Sequence, residues 1–220
     1  RGQTLTLPRG YARTLRYHLG RQQVEASWDN RTCLKEPVAF QSGICLRPYQ
    51  EGAVTALLQG RQGGVVAPCG SGKTIIMLEA MARIGQPALW VTHTKELLNQ
   101  TRQRAVECLG LAEEQIGEIA EGKVTVGSHL TLALVQTLAK ADLQPLEKAF
   151  GAVFVDEAHH LAAGSFYRTV GRFAALYRLW ASATPQREDG LTPMIVAAGG
   201  PVLHVIGRCE TGTLSPQLVV

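Results

Sequence analysis

The sequence predicts an α/β protein: a mostly parallel β-sheet flanked by helices, preceded by a small α/β appendage. Three observations carry this prediction. Short apolar runs of strand length recur at Gly63–Val66, Ala88–Thr92, Thr131–Val135, Gly151–Asp156 and Leu176–Ala181. Stretches with helical spacing lie between them, and strands that alternate with helices build a parallel sheet covered on both faces. A glycine-rich turn, Pro68–Gly72, joins the first run to the next helical stretch. In such sheets ligands collect at the carboxyl ends of the strands. That turn, Thr92, Asp156 and Ser182 all fall at such ends.

Residues 1–40 read as a separate small unit. Thr4–Leu7 alternates as a short strand does, and Pro8-Arg9-Gly10 turns the chain. Tyr11, Leu15 and Leu19 then share one helical face, while Arg9, Arg13 and Arg16 share the opposite one. Such a helix either packs on a core with its arginines solvated or offers them to phosphates. Val24–Trp28 has the pattern of a strand, and Asp29-Asn30 that of a turn. Pro37 and Gly43 mark a linker.

The main unit, residues 41–220, opens at Leu46-Arg47-Pro48-Tyr49-Gln50. A helix over 48–58 follows, with Ala53, Val54, Leu57 and Leu58 inward. Ile75–Ala82 is a buried helix after the glycine turn. Thr94–Leu109 is helical, with Leu97, Leu98, Thr101, Ala105 and Leu109 along one face, and Gln115–Ala120 is a further strand.

Charge and cysteine use narrow the classes. The chain has 220 residues and a formal charge of +4. The first fifty residues hold eight Lys/Arg against three Asp/Glu, so the basic excess sits there; it is either a polyanion-facing element or a solvated surface. The five cysteines are scattered with no Cys-x-x-Cys pair, which argues against a zinc site or a disulfide framework and suits a reducing interior. No apolar run approaches the ~18 residues of a membrane span, and no signal-peptide core opens the chain. An intracellular setting, cytoplasmic or nucleoid-associated, is the expectation. The start at Arg1 rather than Met suggests a fragment.

The chemistry begins with Ala67-Pro68-Cys69-Gly70-Ser71-Gly72-Lys73-Thr74. Strand, glycine turn, Gly-Lys-Thr and helix form the setting of a phosphate-binding loop. Main-chain N–H groups of the loop and the helix N-terminus favour an anion. Gly70 and Gly72 let the backbone bend and approach phosphates. Lys73 would reach the β- and γ-phosphates, and the Thr74 hydroxyl would ligate Mg2+. The strict pattern begins with Gly, where this chain has Ala67. Cys69 stands inside the loop, so its oxidation is expected to block nucleotide binding. Asp156-Glu157-Ala158-His159 follows the apolar run Val153-Phe154-Val155. Asp156 would hold Mg2+ through water, and Glu157 would orient and polarise the attacking water. His159 and His160 lack a third ligand at suitable spacing, which argues against zinc.

Leu46–Gln50, Ala67–Thr74, Asp156–His159 and Ser182-Ala183-Thr184-Pro185 occur in that order, with Asp156 83 residues after Lys73 and Ser182 26 after Asp156. Over about 46–205 the chain resembles the first RecA-like domain of a superfamily 2 helicase. Leu-Arg-Pro-Tyr-Gln, Val-Thr-His-Thr-Lys-Glu-Leu, Asp-Glu-Ala-His-His-Leu and Ser-Ala-Thr-Pro look most like the XPB-type repair helicases and the restriction-enzyme translocases. The stretches Arg187–Leu191 and Gly200–Val202 resemble how XPB-type domains continue, and Leu7–Gly10 resembles a small substrate-recognition appendage.

The resemblance implies ATP hydrolysis, with Mg2+, coupled to movement along nucleic acid, DNA being favoured over RNA. It implies that Gln50 reads adenine, that Arg47 supports the nucleotide, and that Ser182, Thr184 and His159 couple hydrolysis to nucleic-acid handling. Thr92, Thr94 and Lys95 match a strand-contact motif, as do Gln136 and Thr137, although the family often has Thr where this chain has Leu134. Each of these could equally serve as a helix cap or in packing. Arg9, Arg13 and Arg16 complete the candidate nucleic-acid contacts. No second set of motifs occurs, so a C-terminal RecA-like domain of the full-length protein is the expected partner, and little turnover is expected without it. A non-helicase P-loop ATPase, an RNA-dependent helicase and a non-enzymatic DNA-binding module are the other readings.

Overall fold

The computed structural model describes residues 7–158, 163–183 and 192–211. A 3-10 turn at Arg9–Tyr11 leads into α1 (Ala12–Arg21). Then follow α2 (Pro48–Gly60), β1 (Gln62–Val66), α3 (Lys73–Ile84), β2 (Ala88–Thr92), α4 (Lys95–Leu109), β3 (Ile116–Ala120), β4 (Lys123–Val124) and β5 (Leu130–Leu134). The chain continues through α5 (Val135–Leu138), β6 (Ala152–Val155), α6 (Ala163–Val170), β7 (Tyr177–Ser182), α7 (Thr192–Gly199), β8 (Val202–Val205) and α8 (Arg208–Thr211).

The strands form one sheet in the order β4-β3-β5-β2-β6-β7-β1-β8. Only the pairing of β3 with the short β4 is antiparallel among the described strands. The predicted α/β class with a mostly parallel, helix-flanked sheet is therefore the observed one. Alternation along the strands divides the core into two layers. Ala88, Trp90, Ala152 and Phe154 point to the face covered by Val54 and Leu57 of α2, Met77 and Met81 of α3, and Leu98 and Ala105 of α4. Leu89, Val91, Val153 and Val155 point to the other face, against Leu138, Val170 and Ile195. Strands buried on both sides read as unbroken apolar runs, which is why they were legible.

Helix ends follow local chemistry. Pro48 opens α2 with a preset φ. Thr94 caps α4, its hydroxyl accepting from the Leu97 N–H at 3.3 Å. The predicted linker runs past the carboxyl ends of α3 and α4. The N–H groups of Val38, Gln41 and Gly43 donate to the carbonyls of Gly85, Leu109 and Cys108, at 3.0, 3.0 and 2.9 Å, which satisfies acceptors that the helices leave open.

Several local expectations differ. Val24–Trp28 forms no strand and pairs with none among the described residues. The nearby sheet contact is taken by Cys33, which bridges Ala175, and Trp28 lies under the Arg16 guanidinium at 4.6 Å. The strand over 131–135 starts and ends one residue earlier, because Val135 already begins α5. β8 was not expected as a strand; it forms because β1 offers an open edge there. Of Thr4–Leu7, residues 4–6 lie outside the described residues. Among the described residues no helix is long and apolar enough to cross a membrane.

Candidate active site

The parallel sheet brings the carboxyl ends of β1, β7, β6, β2 and β5 to one edge. Main-chain bonds stitch that edge together: Ala67 N–H donates to the Ser182 carbonyl at 3.0 Å, and Asp156 N–H to the Val91 carbonyl at 3.1 Å. The glycine loop leaves β1 there. Gly70 and Gly72 have φ of 80° and 82°, the left-handed region that glycine adopts without penalty. Gly72 is followed at once by α3, so Lys73 and Thr74 form its first turn. Ala67 replaces the first glycine of the motif at no backbone cost. It is not among the residues with positive φ, and its methyl group is buried in the apolar layer under α2 and α3.

Four side chains converge at the loop. The Lys73 ammonium lies 3.3 Å from Glu157 Oε1 and donates to the Ala67 carbonyl at 3.4 Å. Thr74 Oγ1 donates to Asp156 Oδ2 at 3.4 Å. The other oxygen, Asp156 Oδ1, accepts from the Glu157 N–H at 2.9 Å. Asp156 is 3% exposed. Burial, aided by the charge of Glu157, raises its pKa above the ordinary carboxylate value, against the N–H of Glu157, Lys73 and the Thr74 hydroxyl. Glu157 has φ of 47°, a conformation that side chains other than glycine rarely adopt. Such strain concentrates where function demands a particular orientation.

On the helix side, both ends of the Gln50 amide are engaged. Its Oε1 accepts from the Arg47 N–H at 2.9 Å, and its Nε2 donates to the Ser71 carbonyl at 3.0 Å. Tyr49 was missed by sequence reasoning. Its hydroxyl donates to the same carbonyl at 3.3 Å and lies 3.3 Å from an Arg47 nitrogen. The signal available was its place beside Gln50 in the Leu46–Gln50 motif. Pro68, Cys69 and Ser71 complete the loop; Cys69 is exposed, and the buried Ser71 hydroxyl has no hydrogen-bond partner among the described residues. Ser182 is buried at the end of β7. His159 and Thr184 lie outside the described residues.

The candidate nucleic-acid residues divide. Thr92 is buried at the end of β2. Thr94 caps α4, and Lys95 reaches Glu118 at 2.6 Å and Glu121 at 3.5 Å. Gln136 Nε2 donates to the His93 carbonyl at 3.0 Å, tying the ends of β2 and β5, with Thr137 next to it on α5. Arg9, Arg13 and Arg16 lie elsewhere. Arg9 donates to the carbonyls of Ala175 and Leu176 at 2.6 and 2.8 Å, while Arg13 and Arg16 are exposed on α1.

A family profile described as "Type III restriction enzyme, res subunit" matches residues 43–187, well over half of the chain. The chain belongs to this helicase family. It carries the first RecA-like domain of a superfamily 2 helicase, with XPB-type DNA 3'-5' helicases among its relatives. One relative, the "DNA 3'-5' helicase XPB" of Kineococcus radiotolerans, is 33% identical over 167 residues, covering 73% of this chain and 30% of the relative. Another, the "Putative ATP-dependent RNA helicase L396" of Acanthamoeba polyphaga mimivirus, is 30% identical over 165 residues, covering 73% of this chain and 31% of its own length. The helicase domain thus spans under a third of these two relatives. Its fold resembles the UvsW helicase of bacteriophage T4, with a TM-score of 0.69, 18% identity, and coverage of 90% of this chain and 79% of that one.

Proposed function

We propose that this chain is the ATP-binding half of an ATP-dependent DNA helicase or translocase. The observation that carries the reading is the meeting of Lys73, Thr74, Asp156 and Glu157 at one sheet edge, beside a glycine loop whose buried Ser71 hydroxyl lacks a partner among the described residues. That donor set suits a nucleotide and a hard divalent cation, since it offers hydroxyl and carboxylate oxygens with no soft ligand required. Thr74 and Asp156 would hold Mg2+, which when bound neutralises charge on the β- and γ-phosphates.

Lys73 is now compensated by Glu157, so a triphosphate competes with that carboxylate for the ammonium. Its arrival frees Glu157 to orient a water and accept its proton. Gln50 exchanges its bond to the Ser71 carbonyl for the adenine edge, and Arg47 and Tyr49 hold the loop beside it. Coupling runs through Ser182, Thr184 and His159. Ser182 is suited to this by its main-chain bond to Ala67, which joins the strand end to the phosphate loop. The DNA track lies along Thr92, Thr94, Lys95, Gln136 and Thr137, at and just beyond the carboxyl ends of β2 and β5. A second RecA-like domain completes the site; an arginine finger of the kind such domains supply is worth ~10³–10⁵ in rate. The protein acts inside the cell.

Calorimetry of Mg·ATP binding tests this. We expect Lys73→Ala to weaken binding by about two orders of magnitude, and the unaltered chain alone to turn over negligibly with DNA present. Binding independent of Lys73, or brisk DNA-stimulated hydrolysis by this chain alone, would sink the reading. The mimivirus relative, named as an RNA helicase, favours RNA as the second reading. Equal or tighter binding of RNA than DNA of the same sequence would select it.

A further inference from the structure

The opposite edge of the sheet, at the amino ends of β1 and β7, carries a second concentration of charge. There α1 and the 3-10 turn face Gln62, Arg178 and the 171–176 segment across a cleft of about 550 Å3. This volume lies in the range of small-ligand sites, about 300–1,000 Å3. Arg9, Arg13, Arg16, Arg31, Arg172 and Arg178 line it, with Trp28 and one carboxylate, Asp29. Asp29 is paired with Arg31 at 2.7 Å, and Arg172 is paired with Glu147 outside the cleft at 2.6 Å. Among the described residues, Arg9, Arg13, Arg16 and Arg178 have no carboxylate within ion-pair distance.

Arg178 is the unusual member. It is 2% exposed. Its Nη1 donates to the Ala198 carbonyl at 2.8 Å, and its Nη2 to those of Phe173 and Gly171 at 2.6 and 3.4 Å. Its Nε has no hydrogen-bond partner among the described residues. Burial first, and then the nearby Arg9 cation, push its pKa down to about 9, so it still holds its charge at neutral pH. Burial lowers that of Arg9 as well. A buried cation, Arg178, beside a half-buried one, Arg9, with no carboxylate partner among the described residues, is costly. The carbonyls they clamp offset part of that cost, and an anion would offset more. The recess on the other side of Arg9, about 240 Å3, adds Arg168 to the same cluster.

We propose that this cleft binds a phosphate-bearing ligand, held by the uncompensated guanidinium groups of Arg13 and Arg16 at the rim, with the buried Arg178 adding positive charge from behind the wall. Four cations without counter-ions exceed what one carboxylate neutralises, and guanidinium forks match phosphate oxygens in pairs. Trp28, half-exposed beneath Arg16, offers a flat wall on which a base stacks. The source of the phosphate is either a nucleic-acid strand or a small phosphorylated molecule. The site is separate from the phosphate loop. Gln62 and Val66, at the two ends of β1, stand about 13 Å apart. The proposal rests on no part of the nucleotide-site reading.

Trp90 and Trp180 are buried, so ligand-dependent tryptophan emission reports mainly on Trp28. The chain is titrated with inorganic phosphate, with a short oligo-dT and with an oligo-glutamate peptide. The same titrations are run on Lys73→Ala and on the Arg13→Ala, Arg16→Ala double variant, whose folding is checked by circular dichroism. We expect phosphate or oligo-dT to shift the emission, the double variant to weaken this at least tenfold, and Lys73→Ala to leave it unchanged. Oligo-dT binding over tenfold tighter than phosphate, with a salt slope reduced by about 1.4 in the double variant, assigns the cleft to a strand, at ~0.7 per lost phosphate contact. Phosphate binding as tightly as oligo-dT assigns it to a small molecule. The proposal is overturned if neither shifts the emission, if the double variant binds as the unaltered chain does, or if oligo-glutamate binds more tightly than both.

Discussion

Gly72 shows at single-residue scale how the phosphate loop is held. Its φ of 82° places it in the left-handed region, and a Cβ there would come within 2.5 Å of Gln50 Nε2. Gly72→Ala therefore strains the backbone and displaces the amide that ties α2 to the loop. We expect a loss of more than about 1 kcal/mol of stability, read by urea denaturation, together with weakened Mg·ATP binding. A variant with unchanged stability and affinity would show that neither the left-handed turn nor the Gln50 contact matters. At this scale most of the candidate nucleotide site was legible, because Pro68 to Thr74 and Asp156 to Glu157 are each contiguous and their chemistry is local. The Tyr49 contact was not, since it depends on how α2 lies across the loop, 22 residues away in sequence.

Among elements, the junction of α4 with β3 is an ion-pair network. Glu118 of β3 accepts from Lys95 at 2.6 Å and from Arg102 at 2.6 Å. The hydrogen bond from Lys95 comes first among the causes that lower the Glu118 pKa below 4.5, and Glu118 in turn raises that of Lys95 above 10.5. A carboxylate with a depressed folded pKa contributes stability above its unfolded value, which is lost as pH falls through the folded one. The raised Lys95 contribution is full below 10.5 and is lost as pH rises through its folded value. Lys95→Ala should thus cost about 1 kcal/mol or less at pH 7, solvent screening included, and the cost should shrink as pH falls through the lowered folded pKa of Glu118. A cost that persists undiminished at pH 3 would place the effect in packing instead. The same geometry gives Lys95 an ion-pair role beside any contact with nucleic acid. Helical spacing placed Lys95 at the start of α4 but contained nothing about Glu118, 23 residues on.

Across the whole molecule, the parallel sheet sets two chemically different edges. Its assembly depends on close approach of β1 and β7, where Gly64 lies opposite Trp180. A Cβ at Gly64 would sit about 2.0 Å from the indole ring, which is buried and donates to the Gly200 carbonyl at 3.1 Å. Gly64→Ala has no cheap relief, because both the ring and the strand are buried. We expect a loss of roughly 3 kcal/mol or more, measured by chemical denaturation, at the upper end of the cost of overpacking. A loss under about 1 kcal/mol would mean that the sheet repacks freely.

By itself, the sequence determined the α/β class, the run of buried strands, the helicase-family membership of the motifs and which residues form the glycine loop of the candidate nucleotide site. These follow from periodicity and from short contiguous motifs, where neighbours in sequence are neighbours in space. Only the tertiary structure decided that Val24–Trp28 pairs with no strand among the described residues, that Arg9 clamps carbonyls 166 and 167 residues away, and that Arg178 is buried in a basic cleft with no carboxylate partner among the described residues. A buried cation's surroundings come from whichever distant segments the sheet order brings to it, and no local pattern in the chain encodes that.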